Sequence, residues 1–149
     1  MSWLLLVYTN AFARKQFIFT LECYKGSYNA LLNLHMQTIS TCKEFQDIIE
    51  CNPRVICTFS ASWCGPCRKL HPILEQMSKK NSVQSTSGTS GLEKDIVWLC
   101  IDIDKAEELS QEQKIEAVPS LFFFKNGKKE SQIVGPTPEQ LPDFVKSCV

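Results

Sequence analysis

Trp63-Cys64-Gly65-Pro66-Cys67 is the stretch of this chain equipped for chemistry. Two cysteines separated by two residues, where an apolar run gives way to an amphipathic one, suit reversible dithiol–disulfide exchange. Pro66 fits the first turn of a helix, where a missing N–H leaves nothing unsatisfied. Cys64 then falls at or just before the helix N-terminus, where free backbone N–H groups favour a negative charge. An ordinary cysteine has a pKa of about 8.5 and is only ~3% thiolate at neutral pH. An exposed helix dipole contributes roughly 0.3–1 kcal/mol, less than the ~1.36 kcal/mol of one pKa unit. Hydrogen bonds to the Cys64 sulfur, from backbone N–H groups or the Cys67 thiol, must add to it. Arg68 and Lys69 bring positive charge to the same turn.

The same spacing serves as half of a structural zinc site when a second close Cys or His pair is present. Cys23, Cys42, Cys51, Cys57, Cys100 and Cys148 form no such pair, and His35 and His71 lie far apart. The pair is therefore read as redox, with no metal and no organic cofactor. Cys57 and Cys100 fall in apolar runs and read as small buried hydrophobes. Cys148 reads as more exposed, and His71 as a helix-surface residue rather than a base.

The elements that must position the pair follow from hydrophobic periodicity. Arg54 to Ser60 reads as a buried strand, with Val55, Ile56, Cys57 and Phe59 nearly unbroken. After the pair, Leu70, Ile73, Leu74 and Met77 line one face of a helix to about Lys80, which Pro72 should kink. Upstream, Met36 to Ile39 is a short strand, and Thr41 with Glu44 forms a capping box for a helix carrying Phe45, Ile48 and Ile49. Asn52-Pro53 ends that helix. Downstream, a polar Ser/Thr/Gly-rich insert at about 81–95 precedes an apolar strand, Ile96 to Ile103. A short helix follows from Glu107 to Lys114. Leu121 to Lys125 and Lys129 to Val134 pair through the Asn126-Gly127 hairpin signal. Thr137-Pro138-Glu139-Gln140 predicts a last helix with Thr137 at its N-cap and Gln140 reaching back. Strands alternating with helices, then a hairpin, describe an α/β fold with a central mixed sheet flanked by helices.

The 149 residues make one domain's worth of chain, with sixteen basic and sixteen acidic side chains. That balance gives no reason to expect nucleic acid or an anionic membrane surface as partner. No apolar stretch approaches the ~20 residues of a membrane span. Eight irregularly spaced cysteines do not resemble a secreted disulfide framework, so reduced thiols in a cytoplasmic setting are expected. Residues 1–35 read as an N-terminal extension. Its short apolar run and sparse basic residues fit neither a secretory signal nor a mitochondrial presequence well, though organelle targeting stays open. The functional domain is placed at 36–149.

Across that domain the chain resembles the thioredoxin family. The likeness is carried by the strand Val55 to Ser60, Trp63-Cys64-Gly65-Pro66-Cys67, Pro72, Val118-Pro119, Phe124-Lys125-Asn126-Gly127 and Gly135. It implies a thioredoxin fold, a cis bond before Pro119, and protein-disulfide reduction contributing to redox homeostasis. By the same resemblance Cys64 is the nucleophile and Cys67 the resolving thiol. Trp63, Gly65, Pro66, Val118, Pro119 and Gly135 form an apolar groove for the substrate chain. Pro66, in place of the histidine of oxidising relatives, points to a reductant. The implied partners are disulfide-containing proteins and a thioredoxin reductase as electron donor, with the protein acting as a monomer. The chain departs from the family at Thr58, where a buried aspartate is usual, and at Cys100, where a lysine is frequent. Thr58 cannot accept a proton near neutral pH, so slower resolution is expected. The alternative is a binding module that uses the groove with little turnover.

Overall fold

The computed structural model describes residues 36–83 and 96–148. The readings made for residues 1–35, and for positions 84–95 of the polar insert, lie outside the described residues. The elements run β1 (Gln37–Ile39), α1 (Cys42–Cys51), β2 (Arg54–Ser60), α2 (Gly65–Val83), β3 (Ile96–Asp102), α3 (Glu107–Glu112), β4 (Ser120–Lys125), β5 (Lys128–Val134) and α4 (Leu141–Ser147). The five strands form one sheet in the order β1-β3-β2-β4-β5. β3 is parallel to both β1 and β2, while β4 is antiparallel to β2 and β5. This is the expected mixed sheet with helices.

Alternation along β2 divides the core. Val55, Cys57 and Phe59 face Phe45 and Ile49 of α1 and Leu109 of α3, together with Leu99, Phe122 and Phe124 of the sheet. The Phe45 and Phe124 rings meet edge-on at 5.3 Å, the arrangement aromatic quadrupoles favour. Ile56 points the other way, to Leu70 and Leu74 of α2 and Leu141 and Phe144 of α4. Residues of the same parity on β2 and β3, among them Thr58, Ser60, Cys100 and Asp102, therefore face α2.

Local chemistry explains where the helices start and stop. Thr41 Oγ1 accepts from the Glu44 N–H at 3.2 Å, and Glu44 returns a carboxylate oxygen to the Thr41 hydroxyl at 2.9 Å. The N-cap half of the box is formed, while the carboxylate meets the Thr41 hydroxyl rather than its backbone N–H. α2 continues to Val83, three residues beyond the expected end, and runs through Pro72. The last helix departs further from expectation. Gln140 does reach back, its Oε1 accepting from the Thr137 N–H at 2.9 Å. That bond closes a turn rather than a helix, and α4 begins at Leu141 with a proline in its first two positions. A start at Pro138 would have put Pro142 at a position whose N–H is needed, whereas the observed start puts it in the first turn, where a missing N–H has no helical acceptor. Cys148, expected to be exposed, is 2% exposed. Its thiol donates to the Phe144 carbonyl at 3.1 Å, one turn back, and packs with the α4 side of the core.

Candidate active site

β2 is the central strand, paired on both sides, and the chain leaves its C-terminal end directly into the Cys64–Cys67 turn. Ile103 N–H donates to the Ser60 carbonyl at 2.9 Å, extending the β2–β3 pairing to the lip of the site. Cys64 precedes the first residue of α2, so it occupies the N-cap position. Its carbonyl accepts from Arg68 N–H at 3.3 Å. Its sulfur accepts from Cys67 N–H at 3.2 Å, the position a capping serine oxygen would fill. A backbone donor is thus aimed at the Cys64 sulfur, as the chemistry of a stabilised thiolate requires. Pro66, second in the helix, removes an N–H that has no helical acceptor.

Cys64 and Cys67 are joined by a disulfide with an S–S distance of 2.09 Å and a Cα–Cα distance of 5.3 Å. They form a small cluster with Ala61, against which Ile103 and Val118 pack. Both cysteines are nearly covered, at 4% and 7% exposure. Trp63 beside them is 65% exposed. Its indole N–H donates to Asp104 Oδ2 at 3.0 Å.

The structure brings the remaining groove residues to the same end of the sheet. The pairing of Phe59 with Ser120 sets Pro119 beside Ser60, at the strand end that feeds the cysteines. The Val118–Pro119 bond is cis, as the family resemblance implied. Gly135 N–H donates to the Pro119 carbonyl at 2.7 Å, tying the end of β5 to this loop. Gly135 has φ +59°, and a Cβ there, or at Gly65, would meet nothing within 4 Å. Open space therefore lies over both glycines.

On the α2 side the sheet and helix leave an open cavity of about 410 Å3, walled by Cys67, Arg68, His71, Cys100, Asp102 and Lys105 among others. The volume lies in the ~300–1,000 Å3 range of small-molecule pockets. Thr58 pairs in register with Cys100, and its hydroxyl oxygen is buried with no hydrogen-bond partner among the described residues. Burial pushes the Cys100 thiol pKa up, partly offset by the Ser60 hydroxyl 3.8 Å away. Burial alone holds Cys57 well above the usual thiol range. Both are free and buried, as their apolar settings implied. His71, read from sequence as a surface residue, is exposed on one side but also walls the cavity that Cys67 reaches. Its four-residue spacing from Cys67 was the signal available.

A thioredoxin family model matches residues 36–147. A thioredoxin from Coprinus comatus is 34% identical over 114 residues, covering 76% of this chain and 98% of that relative. Thioredoxin-1 of Schizosaccharomyces pombe is 32% identical, covering 75% of this chain and 97% of its own length. Among solved structures, Plasmodium falciparum thioredoxin superposes with a TM-score of 0.66 at 25% identity, covering 76% of this chain and all of that one.

Proposed function

The chain belongs to the thioredoxin family and is a thiol–disulfide oxidoreductase, and from that premise we propose the division of labour within its site. Cys64 is the attacking nucleophile and Cys67 the resolving thiol. In the reduced protein the Cys64 thiolate attacks a substrate disulfide, forming a mixed disulfide and releasing one substrate thiolate. Cys67 then attacks the Cys64 sulfur, re-forming the internal disulfide and releasing the second substrate thiol. A thioredoxin reductase returns the two electrons.

The observation that carries this assignment is the hydrogen bond from Cys67 N–H to the Cys64 sulfur at the helix N-cap. It favours a thiolate at Cys64 over one at Cys67. Trp63, Gly65, Pro66, Val118, Pro119 and Gly135 offer the substrate chain an apolar aromatic and open backbone. The free thiols at Cys42, Cys57, Cys100 and Cys148 suit a reducing, cytoplasmic setting.

The test is insulin reduction driven by dithiothreitol, comparing wild type with Cys64→Ser and Cys67→Ser. Cys64→Ser is expected to reduce the rate to background, and Cys67→Ser to accumulate a covalent protein–substrate complex. Equal rates for wild type and Cys64→Ser would overturn the assignment.

A further inference from the structure

Resolution requires that the Cys67 thiol lose its proton before it attacks Cys64, and the proton needs an acceptor. The groups around the cavity that Cys67 enters can be taken in turn. From α2 come Arg68 and His71; from β3, Cys100 and Asp102; from the segment after β3, Lys105. Arg68 and Lys105 are cations and accept nothing. Cys100 is held protonated by burial. Asp102 already accepts from the Asp104 N–H at 3.1 Å through Oδ1, and its Oδ2 lies 3.9 Å from Lys105 Nζ. Thr58, whose buried hydroxyl sits on the same sheet face, has no basic atom of useful strength. Glu75, one turn beyond His71, is engaged by Lys79 at 2.8 Å.

His71 is what remains. It follows Cys67 by four residues in the same helix, a spacing that sets side chains on one face with Cβ atoms about 5–6 Å apart. Imidazole is the side chain whose protonation changes near neutral pH. We propose that His71 is the proton acceptor that activates Cys67 in the resolving step.

The proposal rests on Cys67 being the resolving thiol. In the step, a ring nitrogen of neutral His71 takes the Cys67 thiol proton, directly or through one water in the cavity. The Cys67 thiolate attacks the Cys64 sulfur, the Cys64–substrate S–S bond breaks, and the departing substrate thiolate takes the bond's electron pair. The imidazolium returns the proton to that thiolate or to solvent. No external oxidant or reductant enters this step.

The experiment uses the full chain, reduced, mixed with less than one equivalent of dithiobis-nitrobenzoate in a stopped-flow instrument. The first nitrothiobenzoate released reports attack by Cys64, and the second reports resolution by Cys67. This leaving thiolate needs no proton, so the second phase isolates proton removal from Cys67. His71→Gln is expected to leave the first phase unchanged and to slow the second at neutral pH by about ten-fold or more, within reach of general-base effects. In wild type the second phase should rise less steeply with pH above neutrality than in His71→Gln, because a base already stands beside the thiol. In His71→Gln it should keep rising through the thiol range near pH 8.5. An unchanged second phase, or one lowered with no change in pH profile, overturns the proposal. Absence of a second phase in wild type would instead refute the assignment of Cys67, and Cys67→Ser supplies that reference trace.

Discussion

Trp63 Nε1 and Asp104 Oδ2 are joined at 3.0 Å across 41 residues of chain. The bond holds an indole that is 65% exposed and would otherwise swing freely beside the disulfide. Both partners lie at the surface, so the bond contributes little to folding, and in the docking role proposed for Trp63 it sets the face offered to a substrate. Asp104→Ala should shift the unfolding midpoint negligibly, the bond being exposed. It should raise KM for insulin several-fold while leaving the reaction with a small aromatic disulfide unchanged. Equal effects on both substrates would remove the docking role.

Thr58 offers two opposite tests. Its hydroxyl is buried and unpaired among the described residues, and leaving such a group unsatisfied costs about 1–3 kcal/mol. Thr58→Val keeps the shape and removes the hydroxyl, so chemical denaturation should show a gain of about 1 kcal/mol. A loss would mean that the oxygen has a partner in solution.

Thr58→Asp should instead lower stability, since it places a carboxyl in a largely covered site. It should also accelerate the resolving step, because a base then lies on the sheet face that looks toward α2. Stopped-flow disulfide reduction that does not change would show that proton removal from Cys67 is not slow in this protein.

Pro66→His would bring an imidazole into the first turn of α2, next to the Cys64 sulfur. Its charged form stabilises the thiolate and hence the reduced protein. The redox potential should rise by tens of millivolts, with ~30 mV corresponding to about 1.4 kcal/mol. Equilibration with a glutathione buffer measures it, and an unaltered potential would contradict the electrostatic reading.

Cys57 and Cys100 make stability fall at alkaline pH. Burial raises both thiol pKa values in the folded state. Their contribution is complete below the unfolded-state value of about 8.5 and is lost as pH climbs toward the folded one. Between those two values the unfolded chain binds fewer protons than the folded chain, so unfolding becomes easier. Each such thiol contributes up to about 1.4 kcal/mol per pH unit there. Denaturant midpoints from pH 8 to 10 should fall less steeply in Cys57→Val than in wild type.

Most of the scaffold was legible because local rules and packing agreed. The Thr41–Glu44 box, the unbroken apolar run of β2 and the Asn126-Gly127 turn each point to one outcome. The disagreements come where two local signals compete. At the last helix, Pro138 and Pro142 both offer a start, and the one used keeps Pro142 in the first turn, where its missing N–H is not needed. At Cys148, position near the chain end suggested exposure, but a helical face that must cover Leu141 and Phe144 decided otherwise. Cys64 and Cys67 announce themselves in sequence through spacing and type, and Pro119 through the family resemblance. The cavity wall does not, because Cys100, Asp102 and Lys105 meet His71 only through the β2–β3 pairing and the seating of α2 on the sheet.

The sheet's outer border on the β5 side has a consequence for behaviour at high concentration. β5 begins with Lys128, Lys129 and Glu130, all exposed, and a bulge interrupts its register between Phe123 and Phe124 of its neighbour. Charged side chains and a bent ladder make a poor template for a second molecule's backbone. Crowded copies are thereby discouraged from zipping together strand to strand, and solubility is guarded along that border.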